Sequence, residues 1–372
     1  MADSNRFTVT YQIQADTKKE AVKIGNKICI EQTAEMPGDV IPDKIKNSFR
    51  GELLQVSQDS SDFYHVIVSF PVAETGGEVS QFLNLIFGNI SLLPGIRILD
   101  IDWTPLTHLV TGPRYGISGI RNLLEIPTRP LSCTALKPVG LNFAELADRS
   151  HRFAMGGIDL IKDDHSLSNQ KPAPFVERVK AVLEAIRKAS NKTGKKTAYF
   201  PNITADGIET WRRYEIAADL GADGVLIIPQ LTGLSTLSAI AKSHPPLPIM
   251  CHPSFSGSYV LNRHQGCTPA IYYGSLWRAL GGDAIIYPNT KGRFAFTEQE
   301  CLEIHSKCRS KEIPFKPSFP IPAGGIQRDT IKKWMDLYGL DTIFLVGGSL
   351  YQHPNGLETA AREFQNMMEE YV

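Results

Sequence analysis

Gly156-Gly157-Ile158-Asp159-Leu160-Ile161-Lys162-Asp163-Asp164-His165 opens on two glycines, runs through an apolar stretch and ends in four consecutive ionisable side chains. A short apolar run bounded by glycine has the length and composition of a buried strand, read here over 157–162. Its C-terminal end carries two acids, an imidazole and an ammonium side by side. A charged cluster at that place is either a solvated loop or the mouth of a site.

The pattern repeats on both sides of this stretch. From Leu131 onward, strand patterns fall at 132–136, 157–162, 197–201, 224–228, 248–252, 283–287, 319–323 and 342–346. Helical stretches lie between them, such as 175–189, 209–220 and 298–308, and a last one over 357–371. Eight strand-then-helix units predict an α/β fold of the (β/α)8 TIM-barrel type. An open dinucleotide-binding sheet would show about six strands and an early GxGxxG turn; that turn is absent.

Ahead of the barrel the order differs. Strand patterns at 7–14, 49–56, 63–72 and 96–103 alternate with helical ones at 17–30, behind a capping Asp16 or Thr17, and 79–87. The polar turn 58–61 separates the middle strands. The order βαββαβ predicts a ferredoxin-like α+β domain. The segment 104–130 has no clear period and reads as a linker, so the chain divides into 1–130 and a catalytic barrel over 131–372.

Composition is that of an ordinary globular protein, 42% apolar and 21% charged. Lys+Arg and Asp+Glu both number 39. The balance speaks against nucleic acid or a membrane surface as the main partner, while leaving room for a local cationic pocket. The six cysteines form no CxxC pair, and several sit in apolar runs, as buried reduced thiols do. No signal-like apolar segment follows the first methionine and no run is long enough to span a bilayer, so a cytoplasmic enzyme is expected.

In a barrel of this kind the chemistry sits at the C-terminal ends of the strands. Strand one ends in Leu136-Lys137-Pro138, placing a lysine that could act as base or phosphate ligand. Strand two ends in Lys162-Asp163-Asp164-His165. Two acids and an imidazole, Asp163, Asp164 and His165, would form a partial site for a hard cation, and Lys162 would join it if carbamylated. Strand five ends in His252-Pro253-Ser254, where a histidine could move protons. Strand six ends in Pro288-Asn289-Thr290-Lys291-Gly292-Arg293, with Asn289 taken as a substrate contact. Strands seven and eight end in Gly324-Gly325 and Gly347-Gly348, whose exposed N–H groups suit a phosphate. Tight turns are the plainer reading of such pairs.

These pieces resemble the RuBisCO large-chain superfamily, and specifically its RuBisCO-like, type IV branch. The stretch 156–164 is similar to the family's GGxDxxKDD signature, and Thr134-Ala135-Leu136-Lys137-Pro138 to the segment with its enolisation lysine. Phe87-Gly88-Asn89 and Glu31-Gln32-Thr33 resemble the N-terminal-domain site residues, and the glycine pairs match the phosphate loops. The resemblance implies Mg2+ held by carbamylated Lys162, Asp164 and His165, a CO2-derived carbamate, catalysis by Lys137, Lys162 and His252, and phosphate or substrate binding by Asn89 and the glycine pairs. It also implies a homodimer with shared active sites.

The departures carry equal weight. The family's third acidic ligand is replaced by His165, and the second lysine of the strand-one motif by Val139. The arginine after the strand-five histidine becomes Pro253, the strand-seven serine becomes Ala323, and the strand-six histidine falls at an apolar residue near Ile286. The mobile lysine loop is replaced by 288–294, with Lys291 out of register. A second phosphate would lack charged partners and the carboxylation lysine is missing, so the expectation is enolisation of a ketose monophosphate without CO2 fixation. The implied reactions are isomerisation of 5-methylthioribulose 1-phosphate first, then decarboxylation of 3-oxo-isoapionate 4-phosphate or enolisation of 2,3-diketo-5-methylthiopentyl 1-phosphate. A non-catalytic binding protein is the reading from a different class.

Overall fold

In the computed structural model, residues 5–36, 39–43, 49–60 and 62–371 are described. Ser61 of the expected polar turn and the extreme termini lie outside them.

The N-terminal strands are β1 (Arg6–Gln14), β2 (Glu52–Ser60), β3 (Phe63–Pro71) and β4 (Ile96–Ile101). Helices Lys18–Glu31 and Val79–Phe87 complete the βαββαβ order. Thr17 caps the first helix, its side chain accepting from the Glu20 N–H at 3.2 Å. β1 alternates perfectly: Phe7, Val9, Tyr11 and Ile13 are buried and the residues between them are not. That alternation packs one face of the sheet on the two helices.

The sheet has five strands rather than the four expected. The fifth, β10 (Gly266–Cys267), comes from a barrel loop and pairs parallel with β4. The order across the sheet is β10-β4-β1-β3-β2. β2 also runs on to Ser60, through most of the expected turn.

The barrel strands are β5 (Leu131–Leu136), β6 (Leu160–Asp163), β7 (Ala198–Phe200), β8 (Val225–Ile227), β9 (Ile249–Cys251), β11 (Ala284–Pro288), β12 (Phe319–Ala323) and β13 (Ile343–Val346). All eight expected strands are present. They form one parallel sheet, and a bridge between Asn202 and Leu226 closes it between β7 and β8. Alternate residues point inward: Leu131, Cys133, Leu160, Phe200, Met250, Ile286, Ile321 and Ile343 fill the interior.

The segment 104–130 is more than a linker. It contains the helix Gly116–Leu124, and Ile117, Ile120 and Leu124 of that helix belong to the same interior cluster. The helix therefore stoppers the end of the barrel opposite the strand C-termini. Asp283 anchors it, accepting N–H bonds from Tyr115 and Gly116, both at 2.7 Å. The period was hidden because glycines and prolines flank a helix of only nine residues.

Candidate active site

At the open end of the barrel lies a cavity of about 920 Å3. Lys137, Lys162, Asp164, His165 and His252 line it, as do Gly324, Gly325, Gly347 and Gly348. Strand parity explains the grouping. Leu160 points inward, so Lys162 two residues on does too, while Ile161 between them and Asp163 after them turn outward. Outside, the buried Asp163 carboxylate accepts from the Tyr199 hydroxyl at 2.7 Å, the Arg178 Nε at 3.1 Å and the Asn202 N–H at 2.9 Å.

The Lys162 side chain is 2% exposed and its Nζ donates to the Asp163 carbonyl at 2.9 Å. Burial lowers its pKa, and the nearby Lys137 ammonium adds to the effect against opposing acids. Lys137 reaches across to pair with the Asp164 carboxylate. Burial pushes Asp164 up, but the Lys137 hydrogen bond, the Lys162 charge and the Ser166 N–H outweigh it, so its pKa falls. His165 Nδ1 stands 3.5 Å from Asp164 Oδ1, and burial lowers its pKa despite that carboxylate.

The His165 and His252 rings stack at 4.3 Å, 12° from parallel. Burial, then the Lys162 and His165 charges, holds His252 well below the ordinary imidazole range, so it is neutral at physiological pH. Its Nδ1 accepts from the Ser254 N–H at 3.2 Å, which assigns the proton to Nε2.

The chemistry of this donor set fits a hard divalent cation only conditionally. Among the described residues no group of three His, Cys, Asp or Glu side chains could hold a metal. Asp164 and His165 supply two donors. A carbamate on Lys162 would supply the missing anionic oxygen, and the burial that lowers the Lys162 pKa favours the neutral amine, the form that reacts with CO2.

The glycine pairs differ in kind. Gly324 and Gly325 have φ of +99° and +69°, which a side chain would strain. A Cβ on Gly347 or Gly348 would meet nothing within 4 Å, because both face open cavity.

Two expected contacts, Asn289 and Asn89, lie outside this chain's cavity, as does Lys291. Asn289 is fully buried behind the wall, where its Oδ1 accepts from the Tyr338 hydroxyl at 2.6 Å; it follows inward-facing Pro288 and so turns outward. Asn89 is held by Glu31 and Glu35, at 3.2 and 3.0 Å, on the surface of the N-terminal domain. Lys291 is exposed, outside the cavity lining, beside Lys333. Of the replaced positions, Ile286, Ala323 and Pro253 do line the cavity, while Val139 is exposed.

The sequence reading missed an aromatic wall. Phe255 after β9, and Phe294 and Phe296 after β11, line one side with Tyr273, Val260 and Leu261. The available signal was aromatic residues in Gly- and Ser-rich loops directly after barrel strands. Arg293 stands among them and lines the cavity.

The chain matches the family described as "Ribulose bisphosphate carboxylase large chain, catalytic domain" over residues 116–371. This protein belongs to that family. Within it, the chain is 36% identical to ribulose bisphosphate carboxylase-like protein 1 of Rhodopseudomonas palustris, over 97% of each chain. It is 33% identical to the 5-methylthioribulose-1-phosphate isomerase of Rhodospirillum rubrum, over 96% of this chain and 95% of the other. The crystal structure of a Rubisco-like protein from Rhodopseudomonas palustris superimposes with a TM-score of 0.87 at 32% identity, covering 99% of this chain and 98% of that one. The chain is thus an enzyme of the RuBisCO-like family, with a TIM barrel and a small N-terminal sheet domain.

Proposed function

We propose that this RuBisCO-like protein enolises and isomerises a ketose monophosphate, with 5-methylthioribulose 1-phosphate as substrate in methionine salvage, and does not fix CO2. The observation that carries the reading is the division of the cavity into three parts: ionisable floor, glycine pairs and aromatic wall. The glycine N–H groups suit one phosphate. Ile286, Ala323 and Pro253 offer no charge for a second. The wall of Phe255, Phe294 and Phe296 suits an apolar methylthio end.

Lys137, as the neutral amine once its proton is given up, or the carbamate on Lys162 would take the proton next to the ketone. Neutral His252, carrying its proton on Nε2, donates a hydrogen bond to oxygen as negative charge develops there. Mg2+, held by carbamylated Lys162, Asp164 and His165, would supply the charge that polarises the ketone and adjacent hydroxyl. Asn89, remote from its own chain's cavity, would contribute to the site of a second copy in a homodimer, whose size sedimentation would read.

One observation favours a second reading. Arg293 in the cavity could hold a substrate carboxylate, as decarboxylation of 3-oxo-isoapionate 4-phosphate would need.

Proton NMR in D2O with Mg2+ and bicarbonate separates the two. Isomerisation or α-deuteration of 5-methylthioribulose 1-phosphate, reduced roughly 10^2–10^4-fold in Lys162→Ala, is the expected result. CO2 release from 3-oxo-isoapionate 4-phosphate would transfer the assignment, and inertness toward both would sink the choice of substrate.

A further inference from the structure

β13 pairs with β5 only as far as Val346 opposite Thr134. Beyond that point β13 turns away into Gly347-Gly348, opening the cavity wall. β5 continues, still paired on its other side with β6 through Leu136 opposite Asp163. The next rung of the β13 side, the Ala135 carbonyl and the Lys137 N–H, loses its strand partner.

Tyr351 fills that rung. Its hydroxyl donates to the Ala135 carbonyl at 2.8 Å and accepts from the Lys137 N–H at 2.9 Å. The phenol ends the short helix Gly348–Tyr351, which starts within the second glycine pair. Its ring packs edge-on against Phe153 at 5.4 Å and lies under the Arg149 guanidinium, also at 5.4 Å. Burial raises the phenol pKa to about 12, so it keeps the proton it donates.

We infer that Tyr351 is a positioning residue that ties the Gly347-Gly348 loop to the backbone of Lys137, so that occupancy of the loop by phosphate tightens the placement of the lysine. The inference rests on the phosphate reading of that loop. Nothing in the chemistry requires the phenol to touch substrate. It acts through Lys137, as a side-chain rung where the two strands diverge.

Tyr351→Phe removes the hydroxyl and keeps the ring on Phe153 and Arg149. Amide hydrogen exchange of the peptide containing Lys137, with and without inorganic phosphate, is the direct readout. In the wild type, phosphate slows exchange at Lys137. In the variant, basal exchange is faster and phosphate leaves it unchanged. In turnover, kcat falls about fivefold with KM held within about twofold, the loss of one hydrogen bond of ~1 kcal/mol.

Equal slowing by phosphate in both proteins, or an unchanged kcat, overturns the inference. Phosphate that leaves the 347–349 peptide untouched in the wild type refutes the phosphate reading instead, and Tyr351 is then judged on basal exchange and kcat. Should the variant not fold, wild-type exchange decides: phosphate-induced slowing at Lys137 supports the coupling and its absence refutes it.

Discussion

Lys162 and Asp163 are neighbours in sequence and lie on opposite sides of the barrel wall. The lysine enters the cavity, while the aspartate neutralises Arg178, a fully buried cation. Their substitutions should therefore fail differently. Asp163→Ala leaves the Arg178 guanidinium buried without its counter-charge, a loss of about 3–5 kcal/mol. Asp164→Ala frees a half-exposed Lys137 that water can solvate, and should cost activity far more than stability. Urea unfolding of the two variants at pH 7 checks this; equal midpoints would refute the assignment of Asp163 to structure. Both acids were legible as a cluster, and period-two alternation separates them once the strand is placed. Asn289 obeys the same rule, following inward-facing Pro288, yet the chemistry expected of it drew attention away from its parity.

The helix Glu298–Arg309 shows what an element contributes beyond its pattern. Thr297 and Glu300 form a capping box at its start, and that sequence signal is local. His305 on its buried face has Nε2 at 3.0 Å from the Thr342 hydroxyl and Nδ1 at 3.1 Å from the Arg309 guanidinium. Burial, then the Arg309 charge, lowers its pKa to about 3. The folded state thus takes up this proton less readily than the unfolded state. The stabilisation is present above the unfolded value near 6.5 and is lost as pH falls toward 3, at about 1.4 kcal/mol per pH unit between the two. His305→Gln, which can still reach Thr342, should flatten the decline in unfolding free energy between pH 6.5 and 4. Parallel curves for variant and wild type would show that another group carries the acid sensitivity.

At the scale of the molecule, the barrel is stoppered at one end and opens into the candidate site at the other. Ile120, fully buried in the helix Gly116–Leu124, packs among the inward residues of the strands. Ile120→Ala opens a cavity in that layer and should cost about 2–5 kcal/mol. KM should stay unchanged, because the site is at the far end of the strands. Denaturant titration with parallel kinetics tests both halves; a loss under about 1 kcal/mol would mean the helix is a loose cover. The domains are joined as well as adjacent: β10 leaves the barrel to extend the N-terminal sheet, and the Trp103 Nε1–H donates to Ser275 at 2.6 Å. A boundary at 130 describes chain order but not this exchange of structure.

The amino-acid sequence by itself determined the eight barrel strands, the βαββαβ order before them, and the side chains that crowd the mouth. Periodicity, capping and strand-end position are local properties, encoded within a few residues of where they act. Only the tertiary structure decided which loop residues meet across the cavity, that a helix within 104–130 plugs the barrel, and that Tyr351 completes the ladder beside Lys137. Those contacts join groups far apart in the chain, 214 residues in the case of Tyr351 and Lys137. They exist because ring closure brings the last strand beside the first, and no local pattern records which side chain will fill the gap left there.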